Sequence, residues 1–383
     1  MNTLPKSTAL VDGIYIGLMS GTSMDGVDVA AVSFFQEKID FIHAETFEYP
    51  ASIRDRLYKI TSNKILHDLA DIGQLDADIG IFFGQCINDS IGKSNLNSSD
   101  VLAIGSHGQT IWHSPLGSAP YSWQIGNPSI ITARTLISTV SDFRNLDMAF
   151  GGQGAPLVPA FHSAFLGESN RSRIVLNIGG IANISILDKE SSMAMGYDTG
   201  PGNCLMDLWH QLHTGEAYDK GGASARTGEI LPELLERFLE EDFFRKEGPK
   251  STGRETFNLD YINSAIKSVS NRENFSPEDI QATLLELTVV SIASNIHVLK
   301  PHNIKDIYLC GGGGANIFLV EQLKKALDGC VVKSTADLGI DPDHVESCAF
   351  AWLAQQRISG RPVTLSTGGE RKQLVLGALY QAP

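Results

Sequence analysis

The sequence predicts an α/β protein built from two domains. Its 383 residues suit two domains at roughly 100–200 residues each. Predicted strands alternate with long predicted helices, a pattern typical of α/β architecture. The order strand, glycine turn, strand, strand and then helices occurs twice, which suggests an internal duplication. We expect an N-terminal domain over 1–143 and a C-terminal domain over 144–383, with a tail, 361–383, that can pack back on the first domain.

Composition argues against nucleic-acid-binding, disulfide-rich and membrane-spanning proteins. Lys and Arg number 30 against 44 Asp and Glu, so the net charge is −14 and a broad basic face for nucleic acid is not expected. The 5 cysteines form no CxxC pair, which indicates reduced core thiols rather than a disulfide framework. The N-terminus lacks the apolar stretch of a secretory signal, and no apolar run approaches the ~18 residues of a membrane span. We therefore expect a soluble cytoplasmic protein with small-molecule ligands and neither a nucleic-acid nor a membrane partner.

Local patterns place the elements of the first half of the chain. Apolar runs predict strands, and three- and four-residue apolar spacing predicts helices. The predicted strands are 14–20, 28–35, 39–47, a short strand at 101–107 that GSHGQT breaks, and 136–142. The predicted helices are 51–62, 69–93 and 128–136, the last with Pro128 at its first position and Asn127 as its cap.

The second half repeats this arrangement. The predicted strands are 173–180, 181–187, 193–200 and 305–310. The predicted helices are 203–213, 229–240, 276–298, 315–327 and 344–358. Ser276, followed three residues later by Asp279, predicts a start close to a capping box for the third of these helices.

A polar, glycine-containing turn joins the first two predicted strands, in LMSGTSMDGVDVA (18–30). Such a turn exposes backbone N–H groups, and its hydroxyl side chains can add donors for a phosphate. It is not a Walker A loop, because the lysine of that motif is absent and a strand follows instead of a helix. Asp25 or Asp28 could hold a water of a magnesium ion; an ordinary hairpin turn is the alternative interpretation. The candidate nucleotide-binding residues of this turn are Gly21, Thr22, Ser23, Met24, Asp25, Gly26, Val27 and Asp28.

Two further glycine turns follow buried strands. LNIGGIANIS (176–185) has two glycines between predicted strands, and YLCGGGGANIF (308–318) has four glycines before a helix. The last turn gives a flat surface at a helix N-terminus, which suits the phosphates or the sugar and base of a nucleotide. A tight turn and a flexible connection are the alternatives, although four glycines are entropically costly. The candidate nucleotide-binding residues are Gly179, Gly180, Gly311, Gly312, Gly313 and Asn316.

Three glycine turns in two similar halves suggest a nucleotide held between two domains. Their order, two phosphate loops and then an adenosine loop, is that of the acetate-and-sugar-kinase, heat-shock ATPase and actin superfamily. The expected fold is therefore a pair of actin-like, ribonuclease-H-like ATPase domains with a central nucleotide and sugar cleft.

Eight longer blocks make the resemblance more specific. In this order they resemble the anhydro-N-acetylmuramic acid kinases over almost the whole chain, from about residue 14 to the C-terminus. The blocks are GLMSGTSMDGVD (17–28), AIGSHGQTIWH (103–113), QIGNP (124–128), DFRNLDMAFGGQGAPLVPAFH (142–162), LNIGGIANIS (176–185), YDTGPGN (197–203), GPKSTGRE (248–255) and CGGGGAN (310–316).

This resemblance implies an enzyme of peptidoglycan recycling that forms a homodimer. It would use ATP, magnesium and water to open the anhydro bridge of 1,6-anhydro-N-acetylmuramic acid and phosphorylate O6, giving N-acetylmuramic acid 6-phosphate and ADP. A sugar kinase of the same superfamily acting on a free hydroxyl is the alternative, which GSHGQT and GGQGAP disfavour. An ATP-driven module that grips a partner is a third hypothesis, disfavoured by the acidic and arginine residues described next.

The implied reaction requires a general base beside the sugar, because the attacking water loses a proton. Asp198 in YDTGPGN is the candidate: it ends a predicted strand just before a helix, and the family's catalytic aspartate falls at this position. Asp147 in DFRNLD is the alternative base. Asp198 has another interpretation, a turn residue whose carboxylate accepts hydrogen bonds from the amides of Gly200–Asn203. The alternative interpretation of Asp147 is a salt bridge to an arginine at the domain boundary. The basic loop 250–255 is compatible with a lid or with a solvated loop.

Five residues are candidates for contacts with the sugar. Arg144 suits the lactyl carboxylate, since a guanidinium matches a carboxylate in a two-bond fork. His107, Gln109 and Thr110 in GSHGQT resemble the family's sugar contacts, although His107 is equally compatible with a structural hydrogen bond. Glu346 lies at the start of an apolar helix, where the helix dipole alone would favour a carboxylate; the family resemblance makes it a sugar ligand.

Overall fold

The structure is a computed structural model that describes most of the chain. The described residues are 9–21, 24, 26–62, 68–115, 117–168, 170–189, 194–254, 256–270, 274–299, 304–365, 367 and 372–383. Thr22, Ser23 and Asp25 of the first glycine turn lie outside these ranges, as does Glu255 of the basic loop.

Strands and helices alternate along the described residues. The strands are β1 (Gly13–Ser20), β2 (Gly26–Phe35), β3 (Lys38–Glu48), β4 (Val101–Ser114), β5 (Tyr121–Ile125), β6 (Thr139–Ser141), β7 (Arg173–Ile178), β8 (Ile181–Leu187), β9 (Ala194–Pro201), β10 (Asp306–Cys310), β11 (Val331–Ser334), β12 (Val363–Leu365), β13 (Lys372–Leu374) and β14 (Ala378–Tyr380). The helices are α1 (Ala51–Ser62), α2 (Leu69–Lys93), α3 (Pro128–Thr135), α4 (Asn145–Ala149), α5 (Val158–Phe165), α6 (Cys204–Thr214), α7 (Pro232–Leu239), α8 (Asp242–Arg245), α9 (Leu259–Ser268), α10 (Pro277–Val298), α11 (Ile317–Ala326) and α12 (Val345–Ile358).

The chain forms two compact units, and the second is inserted between two parts of the first. Unit 1 comprises residues 1–165 and 344–383, and unit 2 comprises residues 166–343. This division differs from the boundary expected at 143/144, because both the segment after residue 143 and the last helix pack with the first sheet.

Unit 1 is built on a sheet of seven described strands in the order β14-β6-β4-β1-β2-β3, with β5 paired to β4. Strand β2 runs antiparallel to β1 and β3, whereas β4 is parallel to β1 and β6. Its core lies between this sheet and α1, α2 and α3, and includes Leu18, Ile79 and Ile104, none of which is exposed to solvent.

Helix α12 returns the end of the chain to this first sheet. Gly17 on β1 and Gly105 on β4 lie directly under it: a Cβ at Gly17 would be 1.8 Å from the carbonyl oxygen of Ser347, and one at Gly105 would be 2.0 Å from that of Phe350. The helix backbone can approach the sheet this closely only because both strands carry glycine at the crossing.

Two other segments pack in unit 1. Helix α5 belongs there because the rings of Phe161 and Phe165 lie 6.1 and 6.3 Å from that of Trp352 on α12, centre to centre. In the tail, β14 pairs antiparallel with β6 at the edge of the sheet.

Unit 2 repeats the strand order of unit 1. Its sheet has the order β11-β10-β7-β8-β9. Strand β8 is antiparallel to β7 and β9, and β10 is parallel to β7 and β11. In both units the third, second and first strands are antiparallel neighbours, and a parallel strand follows the first. This ribonuclease-H-like order, present twice, supports the interpretation of an internal duplication.

The described strands correct two sequence predictions. Strand β4 runs unbroken over 14 residues, whereas a short strand broken by GSHGQT was expected. Gly108 has a positive φ of +78° within the strand. The polar residues pair with β1 and β5 instead of forming a turn. Strand β6 is shorter than the expected 136–142, because Leu136 adopts the left-handed conformation that ends α3. The sequence did not predict β5, α4, α5, α8, α9 or β11 to β14. None of the helices among the described residues has the length and apolar character needed to cross a bilayer.

Candidate functional site

The first glycine turn joins β1 to β2, and the side chain of Ser20 closes it. Ser20 Oγ lies 2.7 Å from the carbonyl oxygen of Gly26, across the turn. Met24 N donates to the carbonyl oxygen of Gly21 at 3.4 Å. These two hydrogen bonds involve three of the five described candidates of the motif, Gly21, Met24 and Gly26.

The last two candidates of the first motif lie on β2. Val27 is buried in the core at 1% exposure, so only its backbone can face a ligand. Asp28 Oδ1 accepts a hydrogen bond from Thr46 Oγ1 on β3 at 2.6 Å. The described residues contain no group of three or more His, Cys, Asp or Glu side chains that could hold a metal ion. Because magnesium at a nucleotide uses only one or two carboxylates plus phosphates and waters, Asp28 fits a magnesium ligand without defining a metal site by itself.

In unit 1, β4, α4 and α12 bring His107, Arg144 and Glu346 together. Arg144 precedes α4 and directs Nε and Nη2 at Nε2 of His107, at 3.0 and 2.8 Å. Nδ1 of His107 lies 2.8 Å from the carbonyl oxygen of Gly108. Since Nε2 accepts from the guanidinium, we assign the imidazole proton to Nδ1, which donates to that carbonyl.

Burial sets the charges of this cluster. Burial, with the nearby Arg144 charge, holds the pKa of His107 well below its ordinary value, so the imidazole is neutral. Burial also lowers the pKa of Arg144 to about 10, and the Glu346 carboxylate opposes that decrease, so the guanidinium stays cationic at neutral pH. The ring of Phe350 lies 4.7 Å from that of His107 and fixes it. The result is an oriented, half-buried cation that can take an anionic ligand such as a carboxylate.

The other two sugar candidates on β4 differ in accessibility. Thr110 is partly exposed, and its Oγ1 accepts from Gln124 Nε2 on β5 at 3.0 Å. Gln109 is fully buried and makes its hydrogen bonds inside the protein. The structure thus places Thr110 on the same strand as His107, at the surface, and turns Gln109 toward the core.

Asp147 is fully buried at 0% exposure. Its Oδ2 accepts from Gly154 N at 2.8 Å and from the hydroxyl of Thr367, and its backbone carbonyl accepts from Gly152 N at 2.9 Å. Among the described residues it forms no ion pair with Arg144. The carboxylate therefore holds the glycine-rich turn of GGQGAP, and its role as the alternative base stays a prediction.

Two buried histidines of unit 1 predict that acid destabilises the protein. His107 and His162 are 3% and 2% exposed, and burial lowers the pKa of both, that of His162 to about 3. An unfolded chain binds protons at histidine near pH 6.5 while the native state stays neutral, so unfolding is favoured as pH falls through that value. Each histidine should then remove about 1.4 kcal/mol of unfolding free energy between pH 7.5 and pH 5.5.

Urea unfolding of the wild type and of His162→Gln at the two pH values checks this expectation. The variant should lose about 1.4 kcal/mol less than the wild type on acidification. An equal loss in both proteins would contradict a neutral His162 in the native state.

In unit 2, the second glycine turn joins β7 to β8 and is bonded to the start of α6. The N–H groups of Gly202 and Cys204 donate to the carbonyl oxygen of Gly180 at 2.9 and 3.1 Å, and Asn203 N donates to that of Gly179 at 2.8 Å. A Cβ at Gly202 would lie 2.3 Å from the Gly179 oxygen, whereas one at Gly179 or Gly180 would meet nothing closer than 3.6 Å. The turn thus has an open surface beside a helix N-terminus, which suits a phosphate.

The third glycine turn lies against the second, because β7 and β10 are parallel neighbours that end together. A Cβ at Gly311 would be 2.3 Å from Oδ1 of Asn177, and one at Gly313 would be 2.3 Å from the side chain of the last residue of β7. At Gly312 and Gly314 a Cβ would meet nothing within 4 Å. The structure therefore brings two predicted nucleotide-binding turns together at one edge of the second sheet.

Asn316 ends this third turn and caps the next helix. Its Oδ1 accepts from Leu319 N in the first turn of α11 at 3.0 Å. A Cβ at Gly222 would lie 2.5 Å from the same oxygen, so the loop before α7 packs closely on it. The side chain thus has a structural use, and its contact with a nucleotide stays a prediction.

Asp198 lies on β9, opposite Asn183 of β8, and is partly exposed. Its backbone N–H donates to the carbonyl oxygen of Lys250 at 2.9 Å, and its Oδ2 accepts from Thr252 N at 2.9 Å. The basic loop therefore orients this carboxylate through Thr252 N, while Gly202 N and Asn203 N donate to carbonyl oxygens of the second glycine turn.

The basic loop itself is anchored by Lys250. Lys250 Nζ donates to the carbonyl oxygens of Phe243 and Lys246, at 3.2 and 2.9 Å, and lies 4.6 Å from the centre of the Phe243 ring. Burial, helped by the charge of Lys246, lowers the pKa of Lys250. The described part of the loop is thus packed on α8 rather than simply solvated.

The sequence did not predict the roles of two residues, Gly202 beside the second glycine turn and Thr252 beside Asp198. Gly202 had a signal, since a glycine between a strand and a helix often marks close backbone approach. Thr252 had none, because it acts through its backbone N–H across 54 residues of sequence.

Two units of one strand topology, with glycine turns at their strand ends, place the chain in the actin-like ATPase fold class. Comparison with known families gives the particular member of that class. A family model described as "Anhydro-N-acetylmuramic acid kinase" matches residues 13–382. The chain belongs to this family.

Curated relatives agree with the family match. A protein of Pasteurella multocida (strain Pm70) named anhydro-N-acetylmuramic acid kinase is 44% identical over 367 residues, covering 96% of this chain and 96% of the relative. A protein of Aliivibrio fischeri (strain ATCC 700601 / ES114) with the same name is 46% identical over 370 residues, covering 96% and 99%.

Two solved structures illustrate the more distant similarity of fold. An activator of the 2-hydroxyisocaproyl-CoA dehydratase from Clostridium difficile with bound ADPNP is 12% identical with a TM-score of 0.43, covering 91% of this chain and 96% of its own. A ROK family glucokinase from Streptomyces griseus in complex with glucose and AMPPNP is 12% identical with a TM-score of 0.37, covering 90% and 100%. These likenesses are too distant to bear on the site.

Proposed function

We propose that this chain phosphorylates O6 of 1,6-anhydro-N-acetylmuramic acid with ATP and opens the anhydro bridge with water, giving N-acetylmuramic acid 6-phosphate and ADP. The observation that carries the proposal is membership of the family over residues 13–382. Peptidoglycan recycling is the physiological role that follows from this substrate.

Asp198 serves as the general base in this proposal. It takes a proton from a water molecule as the water oxygen bonds to the anomeric carbon and the bond from that carbon to O6 breaks. The released O6 then attacks the γ-phosphorus of ATP, and ADP leaves. The partly exposed carboxylate and the hydrogen bond from Thr252 N to its Oδ2 support this role, since a general base has to be both accessible and oriented.

Arg144 binds the lactyl carboxylate of the sugar in this proposal. A neutral His107 fixes two of the guanidinium nitrogens, Nε and Nη2, without neutralising its charge. The cation is therefore oriented and half-buried before substrate arrives, which reduces the entropic cost of binding. Thr110 and Glu346 would contact the hydroxyl or amide groups of the same sugar.

The glycine turns bind the nucleotide in this proposal. Gly179, Gly180, Gly312 and Gly314 support it most directly, because a side chain at any of them would have room and none is needed for packing. Magnesium would be held by Asp25 or Asp28 with the phosphates and waters, and would neutralise charge on the transferred phosphoryl group.

We also propose a cytoplasmic homodimer, which the family resemblance implies. Light scattering coupled to gel filtration should give twice the monomer mass of 41.4 kDa.

Release of ADP with different sugars tests the proposed function. The purified protein with ATP and magnesium should form ADP with 1,6-anhydro-N-acetylmuramic acid and little with N-acetylmuramic acid. Faster turnover of N-acetylmuramic acid would favour the alternative, a kinase that acts on a free hydroxyl. Equal ADP formation without any sugar would favour an ATP-driven module.

A further inference from the structure

Three buried side chains under the first glycine turn form a closed polar cluster. Ser20, Tyr49 and Gln109 are 1%, 3% and 0% exposed. We call these three side chains the turn clamp. Ser20 ends β1, Gln109 lies on β4, and Tyr49 follows β3, so three separate segments of unit 1 meet at this point.

Gln109 uses its whole carboxamide within the protein. Its Nε2 donates to the carbonyl oxygens of Gly21 and Thr110, at 3.1 and 3.2 Å. Its Oε1 lies 2.7 Å from Ser20 Oγ and 3.4 Å from the hydroxyl of Tyr49. A glutamine has two N–H donors and one oxygen with two lone pairs, so no atom is left for a ligand.

The turn clamp holds both ends of the first glycine turn. Gln109 bonds to the carbonyl of Gly21 at the start of the turn, and Ser20 Oγ lies 2.7 Å from the carbonyl oxygen of Gly26 at its end. The hydroxyl of Tyr49 lies 3.0 Å from the same Ser20 oxygen and joins the network. Ser20 donates its one hydroxyl hydrogen to either Gly26 O or Gln109 Oε1. A buried network of this kind, shielded from water, fixes the backbone that it touches.

Packing fixes the third member of the turn clamp. The ring of Tyr49 lies 5.4 Å from that of Phe82 and 6.3 Å from that of Phe83, both on α2. Its hydroxyl is therefore held at one position beside Ser20 and Gln109. The cluster joins the turn to α2 as well as to β4.

We propose that Gln109, with Ser20 and Tyr49, is a positioning residue for the first glycine turn and not a ligand of the sugar. The inference rests on the proposed function only in taking this turn as a phosphate-binding loop. The turn clamp sets the turn against β4, the strand that carries His107 two residues earlier. Loss of the clamp should therefore weaken nucleotide binding and leave sugar binding almost unchanged.

Two substitutions test this assignment. Tyr49→Phe removes one hydroxyl and keeps the ring on α2, and Gln109→Met keeps the volume and removes every hydrogen bond of the carboxamide. Each should raise the dissociation constant for ADP, measured by calorimetry, and the KM for ATP by about fivefold or more. The KM for the anhydro sugar should stay within about twofold.

Tyr15→Phe is the matched control. Tyr15 lies on β1 at 0% exposure, and its hydroxyl donates to the carbonyl oxygen of Val11 at 2.9 Å, at the other end of the strand. Its loss removes a buried tyrosine hydroxyl from the same sheet without touching the turn. The control should lose stability and keep both KM values.

The remaining outcomes of these measurements either overturn the proposal about Gln109 or show that the proposed function fails independently of it. A KM for the sugar that rises more than the KM for ATP would make Gln109 a sugar ligand. Binding constants equal to those of Tyr15→Phe would leave the clamp with a purely structural role. If Gln109→Met does not fold, Tyr49→Phe decides the question. If the wild type binds ADP but does not phosphorylate the sugar, the proposed function fails while the ADP titrations still test the turn clamp.

Discussion

Replacing Asp198 by asparagine should lower kcat by about 10²- to 10⁴-fold and leave ATP binding nearly unchanged, since the amide cannot accept the proton of the attacking water. The substitution preserves shape, and the asparagine oxygen can still accept the hydrogen bond from Thr252 N that orients the carboxylate. Single-turnover measurements with saturating sugar and ATP would isolate the chemical step from product release.

Asp147→Asn is the matched comparison, because it tests whether the loss of turnover is specific to Asp198. Asp147 is the other candidate base, but its carboxylate is buried and holds Gly154 N and the hydroxyl of Thr367. We expect Asp147→Asn to lower stability and to cost less turnover than Asp198→Asn. The reverse order, with near-normal turnover in Asp198→Asn, would transfer the role of base to Asp147.

Replacing Arg144 by alanine should raise the KM for the anhydro sugar about 30-fold or more, because truncating a half-buried, charge-paired group typically costs about 2 kcal/mol or more. The KM for ATP should change little. Arg144→Lys should recover only part of the loss, since an ammonium cannot form the two-bond fork.

A second substrate separates carboxylate recognition from general damage. 1,6-Anhydro-N-acetylglucosamine lacks the lactyl group, so the wild type should prefer the muramic sugar strongly and Arg144→Ala should lose that preference. Arg237→Ala is the control, because Arg237 forms a surface ion pair with Glu240 in unit 2. If the preference survives in Arg144→Ala, the lactyl carboxylate binds elsewhere.

The longer helices and the strands around the glycine turns could be predicted from the sequence because their patterns are local. Helix α2 covers the residues that its apolar spacing predicts. Helix α3 begins after Asn127, whose side chain accepts from the N–H groups of Ser129 and Ile130 as a cap should. The strands around the three glycine turns also follow from short apolar runs.

The division into units could not be predicted, because it depends on contacts between distant segments. Helix α12 is apolar on nearly every side, which indicates burial but not the sheet that covers it. Gly17 and Gly105 did carry a signal, since glycine inside a strand often marks close backbone approach. Only the structure shows that both glycines face the carbonyls of α12.

The candidate site also has a part that the sequence predicts and a part that depends on contacts between distant segments. Asp198 and Arg144 follow from residue chemistry and from the family resemblance. The partners that orient them, Thr252 N and the His107 imidazole, lie 54 and 37 residues away in sequence. Gln109, a sugar candidate by the family resemblance, has a side chain that the structure buries completely, and the polar motif around it gives no sign of that burial.

The most direct test of the central claim is the mass of the product formed in ¹⁸O-labelled water. The protein would be incubated with ATP, magnesium and 1,6-anhydro-N-acetylmuramic acid for a time too short for spontaneous exchange at the anomeric carbon. Coupled ring opening and phosphorylation predict N-acetylmuramic acid 6-phosphate with one label at the anomeric carbon. A phosphorylated product without label would contradict attack by water, and the absence of any phosphorylated sugar would contradict the proposed kinase activity itself.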